Sequence, residues 1–359
     1  MSPRRNFHLA AALDGAGSHP AAPEKPFTPE AYARLIRAAE SGLLDFVTVE
    51  DGPGRLDSAL LLTLAAAVTD RIGLVPLGPA AGDPEAWATR VATLDHLSAG
   101  RAGVRPRVAA GNAEHARLVG ALGTLEGERL VARLFGRAAE FLDAATGAWG
   151  TLVHPPQGRP PLAVLAHATV PYRLAASHAD VVFVTPKDTA DLVAIRQEIG
   201  TLLAKAGRPA GSLRVLADVN VVLGGSREEA EARRARLDEA AGTPFTSDAA
   251  VFTGTPERLA DLLESWHREG GADGFRLRPA VLPDDLDTVA TRLVPVLQER
   301  GLFRTAYTAR TLRGHLGLAD LRGPGSPAEQ LETLQRFAEE IAPVVRREAP
   351  STLWDRPAA

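Results

Sequence analysis

The stretch Gly274-Phe-Arg-Leu-Arg-Pro279 begins the part of the chain that decides the fold. It is followed by Leu282-Pro-Asp-Asp-Leu-Asp287, then by Val294-Pro-Val-Leu-Gln-Glu-Arg-Gly-Leu-Phe-Arg-Thr305 and by Thr311-Leu-Arg-Gly-His-Leu-Gly-Leu318. The pattern predicts a short strand, a turn marked by proline, an amphipathic helix and an exit that ends at glycine. A buried strand followed directly by a helix is the repeating unit of an α/β protein.

Seven further apolar runs precede this strand, and helical patterns separate them. The runs lie at 7–13, 44–51, 71–78, after 100–104, and at 162–166, 180–184 and 213–223. Eight strands of this kind, separated by helices, predict a parallel sheet that is covered on both faces. The spacing is even, and no glycine-rich first turn marks the switch point of an open sheet. We therefore predict an α/β fold, a (β/α)8 TIM barrel.

The barrel is predicted to form one domain over 1–359. Residues 241–254 are rich in Gly, Thr, Pro and Ser, and they are a candidate insertion over the mouth of the barrel. The segment 319–359 is expected to be a C-terminal extension packed on the outside of the barrel. Its apolar spacing within 326–347 predicts a helix.

Composition excludes several classes of function. The chain has no cysteine, which excludes disulfides, thiolate catalysis and zinc sites with cysteine ligands. No His-x-x-x-His spacing indicates another metal site, so none is predicted. The net charge is −4 and no basic stripe is present, so nucleic acid is not an expected partner. The longest apolar run, 59–68, is half of what a bilayer requires, and no signal peptide is evident. A cytoplasmic protein is expected.

Several motifs resemble one known family over roughly residues 6 to 318. They are Ala92-Thr-Leu-Asp-His-Leu-Ser-Ala-Gly-Arg-Ala-Gly103, His178-Ala-Asp-Val-Val-Phe183, Gly254-Thr-Pro-Glu-Arg-Leu-Ala-Asp261 and the segment 294–318. The chain resembles the bacterial luciferase-like flavin-dependent monooxygenases, in the group of the nitrilotriacetate, dibenzothiophene-sulfone and pristinamycin-synthase monooxygenases. The resemblance implies reduced FMN supplied by a partner flavin reductase, and oxidation of a small organic substrate. It also implies a homodimer formed through the helices at 57–69 and 84–97.

The site of such a barrel forms at the carboxyl ends of its strands. The resemblance and the strand ends together give the predicted cofactor-binding residues: Asp51, Gly78, Arg105, Arg107, Ala166, His167, Ala168 and Thr169. His167 and Asp51 are also the candidates for catalysis. The alternative for Asp51 is a turn or helix cap, and the alternative for His167 is a hydrogen-bonded residue at a strand end. Arg276 and Arg278 share a face, and either a mouth-lining role or structural ion pairing fits them.

The positions that hold the flavin in this group differ here. The Ser/Thr-rich end of the third strand is replaced by Gly78-Pro-Ala80, and the Trp-Asn-Val-Val-Thr run after the fourth strand is replaced by Val104-Arg-Pro-Arg-Val108. A His and Tyr pair is replaced by Val131 and Phe135. The Gly-Ser-Ser that binds the flavin phosphate is replaced by Ala166-His-Ala168. Losing three hydrogen bonds to a phosphate costs on the order of 5–9 kcal/mol, or about four to six decades in affinity. We therefore predict a degenerate flavin site. Arg105 and Arg107 are candidates to replace the lost phosphate ligands, and surface or structural ion pairing is the alternative for them.

Three functions follow from these observations. The first is an oxidoreductase that uses flavin or a deazaflavin. The second is a flavin-free family member that serves as a binding protein, a partner subunit or a pseudoenzyme. The third is a repurposed barrel enzyme that works without flavin, for example through His167 and Asp51.

Overall fold

The computed structural model describes residues 6–23, 28–51, 55–108 and 127–321. Nine parallel strands occur in this part of the chain. They are β1 His8–Ala12, β2 Phe46–Val49, β3 Gly73–Pro79, β4 Arg105–Arg107, β5 Ala163–Leu165, β6 Val181–Val184, β7 Arg214–Leu223, β8 Ala250–Gly254 and β9 Gly274–Pro279. The hydrophobic residues of the strands other than β8 are almost entirely buried, as expected for strands that are covered on both faces, whereas those of β8 are partly buried.

Helices follow most of the strands. They are α1 Pro29–Ser41, α2 Ser58–Ala66, α3 Pro84–Leu97, α4 Gly127–Ala148, α5 Thr169–His178, α6 Thr189–Lys205, α7 Arg227–Ala241, α8 Pro256–Arg268, α9 Asp284–Thr288, α10 Val294–Glu299 and α11 Leu312–His315, with a π-helical turn, Val289–Leu293, between α9 and α10. The start of α1 is capped, because Thr28 Oγ1 accepts a hydrogen bond from Ala31 N at 3.2 Å and Pro29 is the first helical residue.

The strands form a barrel, which confirms the predicted (β/α)8 fold. Neighbouring strands are hydrogen-bonded in the order β4-β3-β2-β1-β9-β7-β6-β5. A parallel bridge between Val104 and Leu162 joins the two ends of this row. The eighth predicted strand is β9, which pairs with both β1 and β7.

The ninth strand, β8, lies outside the barrel row. It pairs in parallel with the carboxyl-terminal half of β7, where Val219 lies opposite Ala250 and Leu223 lies opposite Gly254. It lies within 241–254, the segment expected to be an insertion over the mouth. Residues 250–254 of this segment form a strand that pairs with β7 outside the eight-strand row.

A small apolar cluster fills the inside of the barrel. It includes Phe46, Phe183 and Leu216 from the strands, and Leu312 and Leu316 from α11 and the residue after it. A Cβ atom at Gly73 would lie 2.6 Å from Leu312 Cδ1, so the glycine makes room for that leucine. The segment Thr311–Leu318 therefore closes the amino-terminal end of the barrel, which is why its sequence pattern is informative about the fold.

The turn after α3 ties that helix to the strand beside it. Asp95 is fully buried and accepts hydrogen bonds from Gln157 Nε2 at 2.6 Å and from the backbone N–H of Ala102 at 3.1 Å. Burial raises the pKa of Asp95 to about 6, although these hydrogen bonds oppose the shift. The Asp-His-Leu-Ser-Ala-Gly motif thus has a structural role.

The remaining predictions about the chain's organisation fall partly outside the described residues. The helix predicted within 326–347 and most of the extension over 319–359 lie there, so the extension and the single domain over 1–359 stay predictions. None of the described helices combines the length and the apolar character needed to cross a membrane.

Candidate active site at the mouth of the barrel

Alternation along each strand brings a set of polar side chains to the inside of the barrel at its carboxyl end. Below this mouth, Arg276 of β9 lies opposite Asp218 of β7 in the strand register. Arg276 Nε donates to Asp218 Oδ1 at 2.9 Å, and a second nitrogen of the guanidinium donates to the other carboxylate oxygen. The same guanidinium stacks on Phe183, 4.1 Å from the ring centroid. This buried pair forms the floor of the mouth.

Two further arginines line the mouth, and each has a carboxylate partner. Arg105 Nη2 lies 2.6 Å from Glu50 Oε1, and Arg107 Nη1 lies 3.0 Å from Asp51 Oδ1. Burial alone would raise the pKa of Glu50, but Arg105 lowers it, so Glu50 is ionised. A phosphate at Arg105 or Arg107 would therefore have to compete with a carboxylate that is already bound.

Asp14 is a mouth residue that the sequence analysis missed. It follows β1, and its Oδ1 accepts a hydrogen bond from the backbone N–H of Glu50 at 3.1 Å. Burial, and then the nearby charge of Glu50, raises the pKa of Asp14. Asp14 therefore holds a proton more readily than an ordinary aspartate. Its position directly after an apolar strand was the signal that could have identified it.

His167 lies on the opposite side of the mouth in a second polar group. Its Nδ1 is 2.9 Å from Thr185 Oγ1, and its Nε2 is 3.7 Å from Asp248 Oδ2. Asp248 also accepts a hydrogen bond from Arg278 at 2.8 Å. Burial opposes ionisation of Asp248, but Arg278 and His167 lower its pKa to about 2. Thus part of the predicted insertion, at Asp248, does contact the mouth.

The amino terminus of α5 also opens at this end of the barrel. Ala168 precedes the helix, and it has no side chain that can cap it. The backbone N–H groups of Thr169 and Val170 belong to the first helical turn and have no partner within the helix, and the Thr169 hydroxyl is a third donor. Such a helix start favours an anion. Ala166 packs instead into the core between strands and helices.

A family model described as luciferase-like monooxygenase matches residues 7–292, which include all nine strands. The chain belongs to this family.

Relatives in the family include monooxygenases. Nitrilotriacetate monooxygenase component A of Aminobacter aminovorans is 26% identical, with 87% of this chain and 95% of the relative covered. One subunit of the pristinamycin IIA synthase of Streptomyces pristinaespiralis is 28% identical, with 91% and 100% covered. Among solved structures, a riboflavin lyase with modified FMN and riboflavin superposes with a TM-score of 0.76 at 20% identity, over 88% of this chain and 97% of the lyase. The last comparison shows the shared fold.

This luciferase-like chain is shorter than its relatives within the matched region. The match to nitrilotriacetate monooxygenase runs over 437 positions, although 87% of 359 residues is only about 312 residues. More than a hundred positions of that relative therefore have no counterpart here. The family barrel is retained with fewer added segments.

Two other predicted site residues have contacts that bear on their roles. Asp51 Oδ2 accepts a hydrogen bond from Ser58 Oγ, the first residue of α2, at 3.2 Å, in addition to its pairing with Arg107. Gly78 is on the outer side of β3, where a Cβ atom would lie 2.9 Å from Trp87 Nε1. The absence of a side chain at Gly78 therefore allows α3 to approach the strand.

Nε of Arg105, a donor, and Oδ1 of Asn220, an acceptor, are buried polar atoms at the mouth of this family member that have no hydrogen-bond partner among the described residues. Arg105 is 4% exposed and Asn220 is fully buried. Because an unsatisfied buried polar group costs about 1–3 kcal/mol, a polar ligand that satisfies both atoms is strongly favoured over an apolar one.

Proposed function

We propose that this chain is a luciferase-like oxidoreductase that oxidises a small organic substrate with a reduced flavin bound at the mouth of the barrel. Family membership supports the proposal, since the matched region spans every strand that contributes to the mouth. The observation that carries it is the open start of α5, which offers an anion site at the end of the barrel where the chemistry of this fold occurs.

The described residues fit the phosphate of FMN. Three donors of Thr169 and Val170, two backbone N–H groups and one hydroxyl, replace the Gly-Ser-Ser contacts that the sequence lacks. Each hydrogen bond to a charged phosphate contributes about 1.5–3 kcal/mol, so three recover what the altered residues lose. The predicted role of Arg105 and Arg107 as phosphate ligands is less favoured, because Glu50 and Asp51 already neutralise them.

The two unsatisfied atoms at the mouth fit the ring system. An isoalloxazine carries carbonyl oxygens, which accept, and a ring N–H, which donates. Arg105 Nε and Asn220 Oδ1 are the complementary donor and acceptor. We assign these two residues to ring recognition. A deazaflavin presents the same edge, so it is the alternative cofactor.

The other mouth residues hold and move protons. When bound, the reduced flavin supplies the electrons and activates oxygen. Burial and the nearby charge of Glu50 raise the pKa of Asp14, which makes Asp14 the first candidate for proton transfer at the mouth, while the Arg276–Asp218 pair closes the floor beneath. His167 is positioned by Thr185 and Asp248 and is the second candidate for proton transfer.

The partners follow from the relatives and from one surface. The names of the two relatives describe one component and one subunit of a larger enzyme system, so we propose that a separate flavin reductase supplies the reduced cofactor.

We also propose a homodimer formed through α2 and α3. Leu60 and Leu64 of α2, together with Leu56 before the helix and Val68 after it, are exposed at intervals of four residues. We call this row the α2 stripe.

A flavin titration tests the proposal. Purified protein is titrated with FMN, oxidised and anaerobically reduced, and with a deazaflavin, while fluorescence quenching is recorded. Saturable binding of one of them at micromolar concentration is expected. Absence of binding of all three at millimolar concentration would overturn the proposal in favour of a flavin-free binding protein or a repurposed barrel.

A further inference from the structure

A second polar cavity, of about 450 Å³, lies at the amino-terminal end of the barrel, opposite the mouth. Its lining includes His8, Arg214, His267, Arg304 and His315. These residues come from the starts of β1 and β7, the end of α8, and the segment from α10 to α11. The volume is in the range of sites that hold small molecules. None of these five residues belongs to the mouth.

His315 lines this cavity and has a buried acceptor atom. Its Nε2 lies 2.7 Å from the carbonyl oxygen of Arg71, so Nε2 carries the proton and donates it. Burial lowers the pKa of His315 and keeps the ring neutral, so Nδ1 has a lone pair. Nδ1 has no hydrogen-bond partner among the described residues, and the side chain is only 7% exposed. The wall of the cavity therefore contains an acceptor that lacks a donor.

Arg214 supplies a positive charge next to this acceptor. It donates to the backbone carbonyl oxygens of Gly211, Leu316 and Gly317, and the last two directly follow His315. No carboxylate within the described ranges forms an ion pair with Arg214. A guanidinium has five N–H donors, so two remain for a ligand.

The other charges that line the cavity are already compensated. Arg304 and His8 share Asp45, whose pKa they lower to about 2 against the effect of burial. Asp273 pairs with Arg196 at 2.8 Å. Among the arginines of the described lining, Arg214 is therefore the one whose charge is left for a bound anion to neutralise.

We propose that this cavity binds a small carboxylic acid that also carries a hydroxyl group. The carboxylate pairs with Arg214, which favours planar oxyanions, and the hydroxyl donates to Nδ1 of His315. This site does not depend on the proposed function at the mouth, since it shares no residue with it.

Two matched probes test the proposal. Malate and succinate have the same charge and carbon skeleton, and they differ by one hydroxyl. Each is titrated into the full chain by saturation-transfer NMR, and the 15N shift of His315 Nδ1 is followed. We expect malate to bind about tenfold more tightly and to move the Nδ1 resonance toward that of a hydrogen-bonded nitrogen.

Three variants separate the two contacts. His315→Gln retains a donor for Arg71 but loses the acceptor, so it should abolish the preference for malate. Arg214→Gln should weaken both acids at least tenfold, whereas Arg227→Gln, which removes an exposed arginine, should change neither. Equal binding of the two acids to the wild-type protein, or an unmoved Nδ1 resonance at saturating malate, would overturn the proposal without depending on any variant.

Discussion

Arg276 and Asp218 form a two-pronged ion pair inside the barrel, with Arg276 Nε 2.9 Å from Asp218 Oδ1. Both side chains are at most 2% exposed. The register of β7 and β9 places the two residues side by side, so the backbone itself sets the geometry of the pair. Removing two charges from water costs several kcal/mol each, and the pairing repays this only while both partners are present.

Substitution Asp218→Ala is therefore expected to destabilise the protein by about 3–5 kcal/mol, because it leaves a buried arginine without a counter-ion. The double change Asp218→Leu with Arg276→Met should recover most of this loss. Urea denaturation followed by circular dichroism measures both. Glu231→Ala is the control, because it breaks an exposed pair with Arg227 and should leave the free energy of unfolding nearly unchanged. Equal losses for Asp218→Ala and the double change would contradict the explanation.

Asp45 predicts an acid-sensitive part of the stability. Its pKa in the folded protein is about 2, below the ordinary 3.8, because His8 and Arg304 outweigh the effect of burial. A lowered pKa stabilises the folded state above pH 3.8, and this contribution is lost as the pH falls toward 2. It amounts to about 2 kcal/mol.

The comparison is between wild type and Asp45→Asn, unfolded by urea at several pH values between about 7 and about 2. The difference in free energy of unfolding should shrink by about 2 kcal/mol as the pH falls from about 5 to about 2. A difference that stays constant over this range would show that Asp45 is not held ionised by its partners.

The sequence was sufficient for the barrel because buried strands and amphipathic helices are local patterns. The end of each strand is also local, so Asp51, His167 and Thr169 could be predicted to lie at one end of the barrel. The side-chain contacts of the site could not be predicted in this way. For example, Glu50 and Arg105 are 55 positions apart in the sequence, and only the closed barrel brings their side chains within 2.6 Å.

Two other residues show the same limit in different ways. Gly78 lies one residue before the end of β3, near the predicted strand end, but the packing of Trp87 from α3 against it shows that it faces outward. Asp248 lies in a segment with the composition of a loop, and its contact with Arg278 depends on β8 pairing with β7. The ends of the strands can thus be predicted from the sequence. Whether a residue there faces the inside or the outside of the barrel depends on packing between distant segments.

The start of α5 gives a prediction about cofactor choice. Thr169→Val removes one hydroxyl donor to the phosphate, so FMN should bind about 10- to 150-fold more weakly. Riboflavin lacks the phosphate, and its affinity should not change. Fluorescence quenching titrations with both ligands measure the ratio. Thr201→Val on the exposed side of α6 is the control, with no effect on either ligand. A parallel loss for riboflavin would mean that Thr169 acts through the fold.

The α2 stripe gives the last prediction, which concerns assembly. Leu60 is 69% exposed and Leu64 is 55% exposed, and Leu97 at the end of α3 is 55% exposed. A row of exposed aliphatic side chains is unfavourable in water and marks an interaction surface. Because the stripe is aliphatic and uncharged, it can pack against the same stripe of a second copy, so that a twofold dimer would bury both stripes.

We expect wild-type protein to sediment as a dimer and the double variant Leu60→Glu with Leu64→Glu to sediment as a monomer. Four carboxylates at the centre of a twofold interface would be desolvated and would repel one another, which costs far more than the apolar contacts contribute. Leu152→Glu introduces a charge at another leucine, 63% exposed, outside α2 and α3, and should leave the dimer intact. A wild-type monomer at high protein concentration, or a double variant that still dimerises, would place the self-association surface elsewhere.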